Sequence, residues 1–427
     1  MLHCRNIHCY VDGDEIIMPA TVNLQYLRPE KRKLMESNYQ QIEVRSHLNV
    51  FEYHKATILP IRKGEGSNLD YGGVIDSEGE YILPSVIPGW ASGYYDDYTC
   101  TYENKTVVYC GRMIGQWGHF LLETITRLWF FLEYDCPSYE YILIVKENTT
   151  PPITENFLDF FRLLGISKRI RLLSTPVQFE TVLIPDRSFQ YKRFISPQYK
   201  HIIDRVVFNS FRYRSINDST PRIFLSRSSY PKACDTEVGL DYLDHYFIKN
   251  GYKILFPENE KLGRLICMIN QATCLAAESG TIAHNMLFCV NAQNTIIIER
   301  QCSINDAQIS IDLVQSLHTT YVDGNIMLHP VSMGGGPFFL YYTSEMSRMT
   351  KELSLDQPNT HYTQDEYVYK CLKRYSEIYH ATQKSRSCDI TQKNIQVFNE
   401  AQKESIEIIS NIGGGSERFL DYLLRLL

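Results

Sequence analysis

Residues 115–133 read GQWGHFLLETITRLWFFLE, an apolar run broken by His119, Glu123 and Arg127 at intervals of four. At helical spacing the three form one polar stripe. Histidine, with an ordinary pKa of ~6.5, can take up a proton near neutrality. A carboxylate one turn further on would orient the imidazole and stabilise its charged form. Arg127 would then pair with Glu123. The stripe reads as a general base with its supporting groups. The plainer alternative is a buried polar line that satisfies only itself.

A second group of residues lies at the ends of three apolar, strand-like runs. Ser226, Arg227 and Ser228 follow RIFL; Pro257 and Glu258 follow YKILF; Glu278, Ser279, Gly280 and Thr281 follow TCLAA. Ligands of open α/β sheets bind beyond the carboxyl ends of the strands. Ser279 and Gly280 would make a tight strand-to-helix turn, with TIAHNMLF opening the helix. Free N–H groups there would suit a phosphate. Arg227 would add a charge-assisted bond to a diphosphate, and Glu258 would accept bonds from ribose hydroxyls. Ser279 alone would read as a helix cap; the three strand ends together favour a nucleotide diphosphate site.

The elements that must position these groups follow from the apolar pattern. The first 110 residues read as short strands and turns. YILIVKE is a strand, NFLDFFRLLG a helix closed by Gly165, and RIRLLS and TVLIP two more strands. The polar stretch 208–222 reads as a connection. Strand and helix then alternate again through RIFLSRS, VGLDYLDHYFIKNG, YKILFPE, KLGRLICMINQA, TCLAAE, TIAHNMLFCV and NTIIIER. Beyond residue 331, after the turn-rich MGGGPFF, the pattern turns helical, ending in SERFLDYLLRLL. The expected class is α/β. Residues 1–210 and 211–330 form its two α/β domains, the second an open, mostly parallel sheet, and 331–427 is a helical extension.

Composition excludes several functions. The 427 residues carry a net charge of −6 with no basic run, which argues against nucleic acid. Neither half carries GxGxxG after its first strand, and GxxxxGK[ST], GxSxG and HExxH are absent, which disfavours a nicotinamide dinucleotide and P-loop chemistry. His3, Cys4, His8 and Cys9 lack a second ligand pair, and Asp96 and Asp97 read as a solvated turn, so no metal site is expected. The 12 cysteines are scattered without a CxxC pair, which points to a reducing cytosol. No export signal is apparent, and no run approaches the roughly 18–20 apolar residues of a membrane span. Peripheral contact with the inner face of a membrane and a homodimer through the helical C-terminus are compatible with this.

Taken in order, these motifs resemble glycosyltransferase family 61. Its first-half pattern N-x-G-H-[FW]-[LI]-x-[DE] is matched by residues 116–123, QWGHFLLE, with Gln116 at the asparagine position. A strand ending in Ser-Arg follows (Ser226, Arg227), then Pro257 and Glu258. The pattern H-G-A-G-[LM]-x-N-x-[LI]-F is met by SGTIAHNMLF, residues 279–288, and the last strand ends in Ile298 and Glu299. Ser279 replaces the family histidine and Ile282 its second glycine; His284 does not occupy the histidine position. The resemblance implies a GT-B fold, two Rossmann-like α/β domains facing a cleft. It implies an inverting, metal-independent transfer, with a nucleotide-sugar donor of the UDP type as co-substrate and no cofactor. His119 would be the base and Glu123 its partner, with Arg127 and Gln116 supporting. Ser226, Arg227, Glu258, Ser279, Gly280, Thr281 and Asn285 would hold the donor, with His119 facing Ser279 and Gly280. The acceptor would be a glycan or lipid-linked saccharide of a bacterial capsule or O-antigen. A non-catalytic scaffold of a polysaccharide assembly complex is the alternative, motivated by Ser279.

Overall fold

The computed structural model describes residues 20–39, 42–64, 70–134, 136–149, 153–213, 222–290, 293–331, 335–383 and 392–412. The chain divides into two compact units. One comprises residues 1–17, 42–213 and 261–263, the other 18–41, 214–260 and 264–427.

The first unit is built on a seven-stranded sheet. Its strands lie in the order Ala91–Gly93, Asp70–Ile75, Val50–Arg62, Val177–Pro185, Thr101–Arg112, Glu140–Ile144 and Ile170–Leu173. The last four are mutually parallel, while Val50–Arg62 runs antiparallel to both of its neighbours. Strands of a parallel block are covered on both faces and need continuous apolar runs. TVVYC and YILI supply them, and Val107, Val108, Tyr109, Ile142 and Leu143 are fully buried. The helix Glu155–Leu164 stops where the sequence predicts. Gly165 takes the left-handed φ of 99°, and its N–H donates to the Phe161 and Arg162 carbonyls.

The second unit contains six parallel strands. Their order is Thr21–Tyr26, His318–Asp323, Asn294–Glu299, Cys274–Glu278, Arg222–Leu225 and Lys253–Leu255. The helices Leu240–Lys249 and Leu262–Gln271 link consecutive strands, as the alternation of patterns predicts. Further helices span Ser344–Glu352, Asp365–Gln383 and Gln392–Ile412. Met346, Met349, Val368, Leu372, Tyr375 and Ile409 from them share one apolar core with Phe224, Phe247 and Ile298. These helices therefore complete the core of the second unit.

One part of the N-terminal region departs from its expected place. Residues 21–26, read with the first domain, pair in parallel with His318–Asp323 at the edge of the second sheet, and the helix Pro29–Tyr39 follows them. A buried ion network secures this stretch. Lys31 Nζ lies 2.8 Å from Glu299, 3.0 Å from Asp323 and 2.7 Å from the Gln301 carbonyl. The Arg28 N–H donates to Asp323 at 2.7 Å, and its guanidinium reaches Glu404 at 2.6 Å and Asn325. Such pairing links residues nearly three hundred positions apart, which no local pattern reveals. The cluster at His3, Cys4, His8 and Cys9, the final helix at 416–427 and part of the 208–222 connection lie outside the described residues. Among the described residues, no helix is long and apolar enough to cross a membrane.

Candidate active site

In the first unit the site is built where a strand of the parallel block ends. Thr101–Arg112 runs out at Arg112, and the helix Trp117–Leu122 begins five residues later, with Gln116 at its N-cap. Gln116 is exposed and its side chain makes no capping bond; its carbonyl accepts from the Phe120 N–H at 2.8 Å. Phe120 anchors the helix against Phe157, Phe160 and Phe161. His119 is left on the open side, with 42% of its side chain exposed. Its Nδ1 lies 2.8 Å from Glu123 Oε1. The other Glu123 oxygen accepts from Trp90 Nε1, and the Trp90 ring meets the imidazole edge-on at 5.1 Å. Two donors thus fix Glu123, and Glu123 fixes His119.

The single helix expected over 115–133 is three pieces. Trp117–Leu122 is α-helical, Thr124–Arg127 is a 3₁₀ turn and Trp129–Glu133 is helical again, with Glu123 at φ −132° marking the break. The cause is the run Thr124, Ile125, Thr126. β-Branched residues fit helices less well, and threonine hydroxyls bond nearby backbone instead. Thr124 Oγ1 donates to the Arg112 carbonyl at 2.9 Å, and Thr126 Oγ1 to that of Glu123 at 2.9 Å. The stripe is therefore interrupted. Arg127 does not pair with Glu123: it is buried, and its guanidinium donates to the Pro84 carbonyl at 2.8 Å and to that of Pro185. It ties the 3₁₀ turn at Pro84 to the end of the strand Val177–Pro185.

In the second unit, sheet order brings the three strand ends side by side, since Arg222–Leu225 lies between Cys274–Glu278 and Lys253–Leu255. Ser226 is buried, and its Oγ accepts from the Ser228 N–H at 3.1 Å. Arg227 pairs with Glu237 at 2.8 Å. Glu258 is exposed, in the 3₁₀ turn Pro257–Asn259, and accepts from Ser229. The α-helix expected from TIAHNMLF is instead the short 3₁₀ segment Ala283–Phe288. Asn285 Nδ2 donates to the Ile282 carbonyl at 2.9 Å, a local bond that competes with helical pairing. Asn285 is buried and steadies its own turn. Ser279 is buried as well; its N–H donates to the Ile298 carbonyl and its Oγ accepts from the Arg300 N–H at 3.3 Å. Gly280 takes a φ of 122°, and a β-carbon there would stand 2.5 Å from Arg300 Nη2. Among the described residues, the N–H groups of Gly280, Thr281 and Ile282 have no acceptor. Thr281 is exposed beside them.

Behind this turn sits a group that strand-end reasoning did not assemble. Glu237 Oε1 binds Arg300 Nη1 at 2.5 Å as well as Arg227. Glu278 is fully buried next to Glu237. Burial and the neighbouring Glu237 carboxyl push the Glu278 carboxyl well above the usual range. A protonated Glu278 can donate to Glu237, so two guanidiniums face one negative charge and the turn keeps a net positive character. A carboxyl raised on folding stabilises the protein below its unfolded pKa, and that contribution is lost as pH rises through the folded pKa. Glu278→Gln is neutral at every pH. It is expected to remove a decline of roughly 1 kcal/mol per pH unit above about pH 4.5, read by urea unfolding at stepped pH. An unchanged pH profile would refute the protonated pair.

Trp90, Glu237 and Arg300 were missed in the sequence. Arg300 alone left a signal, as the charged residue one step past the Ile298, Glu299 strand end. Residues 117–298 match the family model Glycosyltransferase 61. The match opens beside His119 and ends on the strand next to the Ser279 turn, so it takes in both constellations. The matched stretch is similar to glycosyltransferase family 61, as the motif order in the sequence led one to expect. No curated protein matches the chain.

Proposed function

We propose that the chain is an inverting, metal-independent glycosyltransferase. It moves a sugar from a nucleotide-sugar donor of the UDP type to a hydroxyl of a glycan or lipid-linked saccharide, in the synthesis of a bacterial surface polysaccharide such as a capsule or O-antigen. In a GT-B arrangement the second unit takes the donor and the first the acceptor. The observation that carries the reading is the half-exposed His119, with its Nδ1 held by a buried Glu123, inside the stretch that matches the family model.

The chemistry follows from that geometry. With Nδ1 engaged by Glu123, Nε2 is the nitrogen left to accept the proton of an acceptor hydroxyl. The hydroxyl oxygen forms a bond to the anomeric carbon as the bond from that carbon to the diphosphate breaks. The electron pair leaves with the diphosphate, and the proton stays on His119, where Glu123 balances it. Arg227 and the free N–H groups at Gly280 and Thr281 stabilise the charge developing on the diphosphate. Ser279 and Asn285 shape the turn, Ser226 shapes the neighbouring strand end through Ser228, and in this reading the exposed Glu258 accepts from ribose hydroxyls.

Incubation with a panel of nucleotide sugars tests the proposal through donor-dependent release of nucleoside diphosphate. Release from none of them, with or without saccharide acceptors, would reject it. The scaffold reading is favoured by one observation: Ser279, at the family histidine position, is buried and spends its hydroxyl on the Arg300 N–H. That reading requires His119→Ala to leave glycan production intact.

A further inference from the structure

Arg300 leaves half of its guanidinium unused. It follows directly on the strand Asn294–Glu299 and is buried, with 8% of its side chain exposed. Three contacts hold it. Nη1 pairs with Glu237 at 2.5 Å, the centre of the Phe338 ring lies 4.4 Å from the guanidinium carbon, and the Arg300 N–H donates to Ser279 Oγ at 3.3 Å. Among the described residues, neither Nε nor Nη2 has an acceptor. Nε is sealed from solvent, but Nη2 is not. The nearby carboxyl groups are already committed. Glu237 Oε1 is shared between Arg227 and Arg300. Glu278, whose carboxyl burial and Glu237 hold protonated, brings no second negative charge.

Nη2 is the nitrogen that meets the Gly280 turn. A β-carbon on Gly280 would stand 2.5 Å from it, so Nη2 lies within about 4 Å of the Gly280 Cα. Only glycine allows this approach. The N–H groups of Gly280 and Thr281 flank that Cα, and neither has an acceptor among the described residues. A phosphate group is large enough to span the gap, with one oxygen on the N–H groups and another on Nη2. The 3₁₀ segment Ala283–Phe288 that follows is six residues long, too short for a helix dipole to hold an anion unaided. The binding charge has to come from side chains, and Arg300 is the one already seated against the turn.

We propose that Arg300 is a second cationic ligand of the donor diphosphate, its Nη2 binding a phosphate oxygen while Nη1 stays on Glu237. This rests on the reading that the donor diphosphate occupies the Gly280 turn. Arg227 has to leave Glu237 to meet the diphosphate. Arg300 stays behind as the counter-ion of Glu237, so that no buried carboxylate is left bare. As the bond from the anomeric carbon to the diphosphate oxygen breaks, the electron pair moves onto that oxygen. Arg300 then stabilises the charge from a position that needs no rearrangement.

The experiment is calorimetric binding of inorganic pyrophosphate and of UDP to the full chain, wild type, Arg300→Gln and Arg300→Lys, with circular dichroism as the check on folding. Arg300→Gln is expected to weaken both ligands about tenfold or more, the usual worth of a charge-assisted hydrogen bond. Arg300→Lys separates binding from support. Its ammonium can balance Glu237 but cannot hold Glu237 and a phosphate in the forked geometry at once, so a loss of about fivefold is expected. Affinity of Arg300→Lys within about twofold of wild type would show that Arg300 only balances Glu237, and would overturn the proposal. So would a wild type that binds neither ligand at millimolar concentration, a result that needs no variant. The two readings fail separately. Arg300-dependent pyrophosphate binding in a chain that transfers no sugar would sink the transferase mechanism and leave the anion site. Sugar transfer whose kcat and donor KM are unchanged in Arg300→Lys would sink the inference alone.

Discussion

His119→Ala is expected to lower the rate of sugar transfer by about 10²–10⁴, the usual worth of a general base, with the fold preserved. His119 contributes little to packing: its side chain is half-exposed and its main contacts are the Glu123 bond and the edge of Trp90. The loss should therefore fall on kcat, with the donor KM nearly unchanged, because the residues assigned to the donor lie in the second unit. Glu123→Gln separates orientation from protonation. The amide can still accept from Trp90 but offers no charge to a protonated imidazole, so a smaller loss with a displaced pH profile is expected. Activity of His119→Ala within about threefold of wild type would show that another group takes the proton.

Lys31→Met should destabilise the second unit by about 3–5 kcal/mol, as expected when one partner of a buried ion cluster is removed. Methionine fills much of the space, so the effect isolates the charge. Glu299 and Asp323 would then face one another without the ammonium that lies 2.8 and 3.0 Å from them. Burial already pushes the Glu299 carboxyl up despite Lys31, so without Lys31 it is expected to bind a proton. Arg28, which also contacts Asp323, cannot offset both carboxylates. Urea unfolding provides the measurement, and the double variant Lys31→Met, Glu299→Gln should recover part of the loss. A change below about 1 kcal/mol would mean that the network is not what holds residues 21–39 in place.

The contrast between these two sites shows what the sequence could reveal. His119 and Glu123 are four residues apart, so a spacing argument finds them even though the helix between them ends at Glu123. Arg127 was misassigned by the same argument, because hydroxyl-to-backbone bonds of Thr124 and Thr126 turn the chain before the stripe can continue. The strand ends at Ser226, Glu258 and Ser279 became neighbours on the page once parallel alternation was recognised, since a parallel sheet collects such ends on one edge. Arg300 and Glu237 stayed hidden because their partnership depends on three-dimensional packing: Glu237 begins a short strand that pairs with Phe338–Leu340, far away in sequence. Lys31 lies in a region that the sequence reads as short strands and turns, whereas the structure forms the helix Pro29–Tyr39 there. Its burial is set by residues 299 and 323, which no local pattern connects to it.

A crystal structure with a bound nucleoside diphosphate tests the central claim most directly. The account predicts phosphate oxygens within hydrogen-bond distance of the Gly280 and Thr281 N–H groups, Arg227 turned from Glu237 toward them, and the ribose near Glu258. A nucleotide bound elsewhere on the chain, or no binding at millimolar concentration, would contradict it.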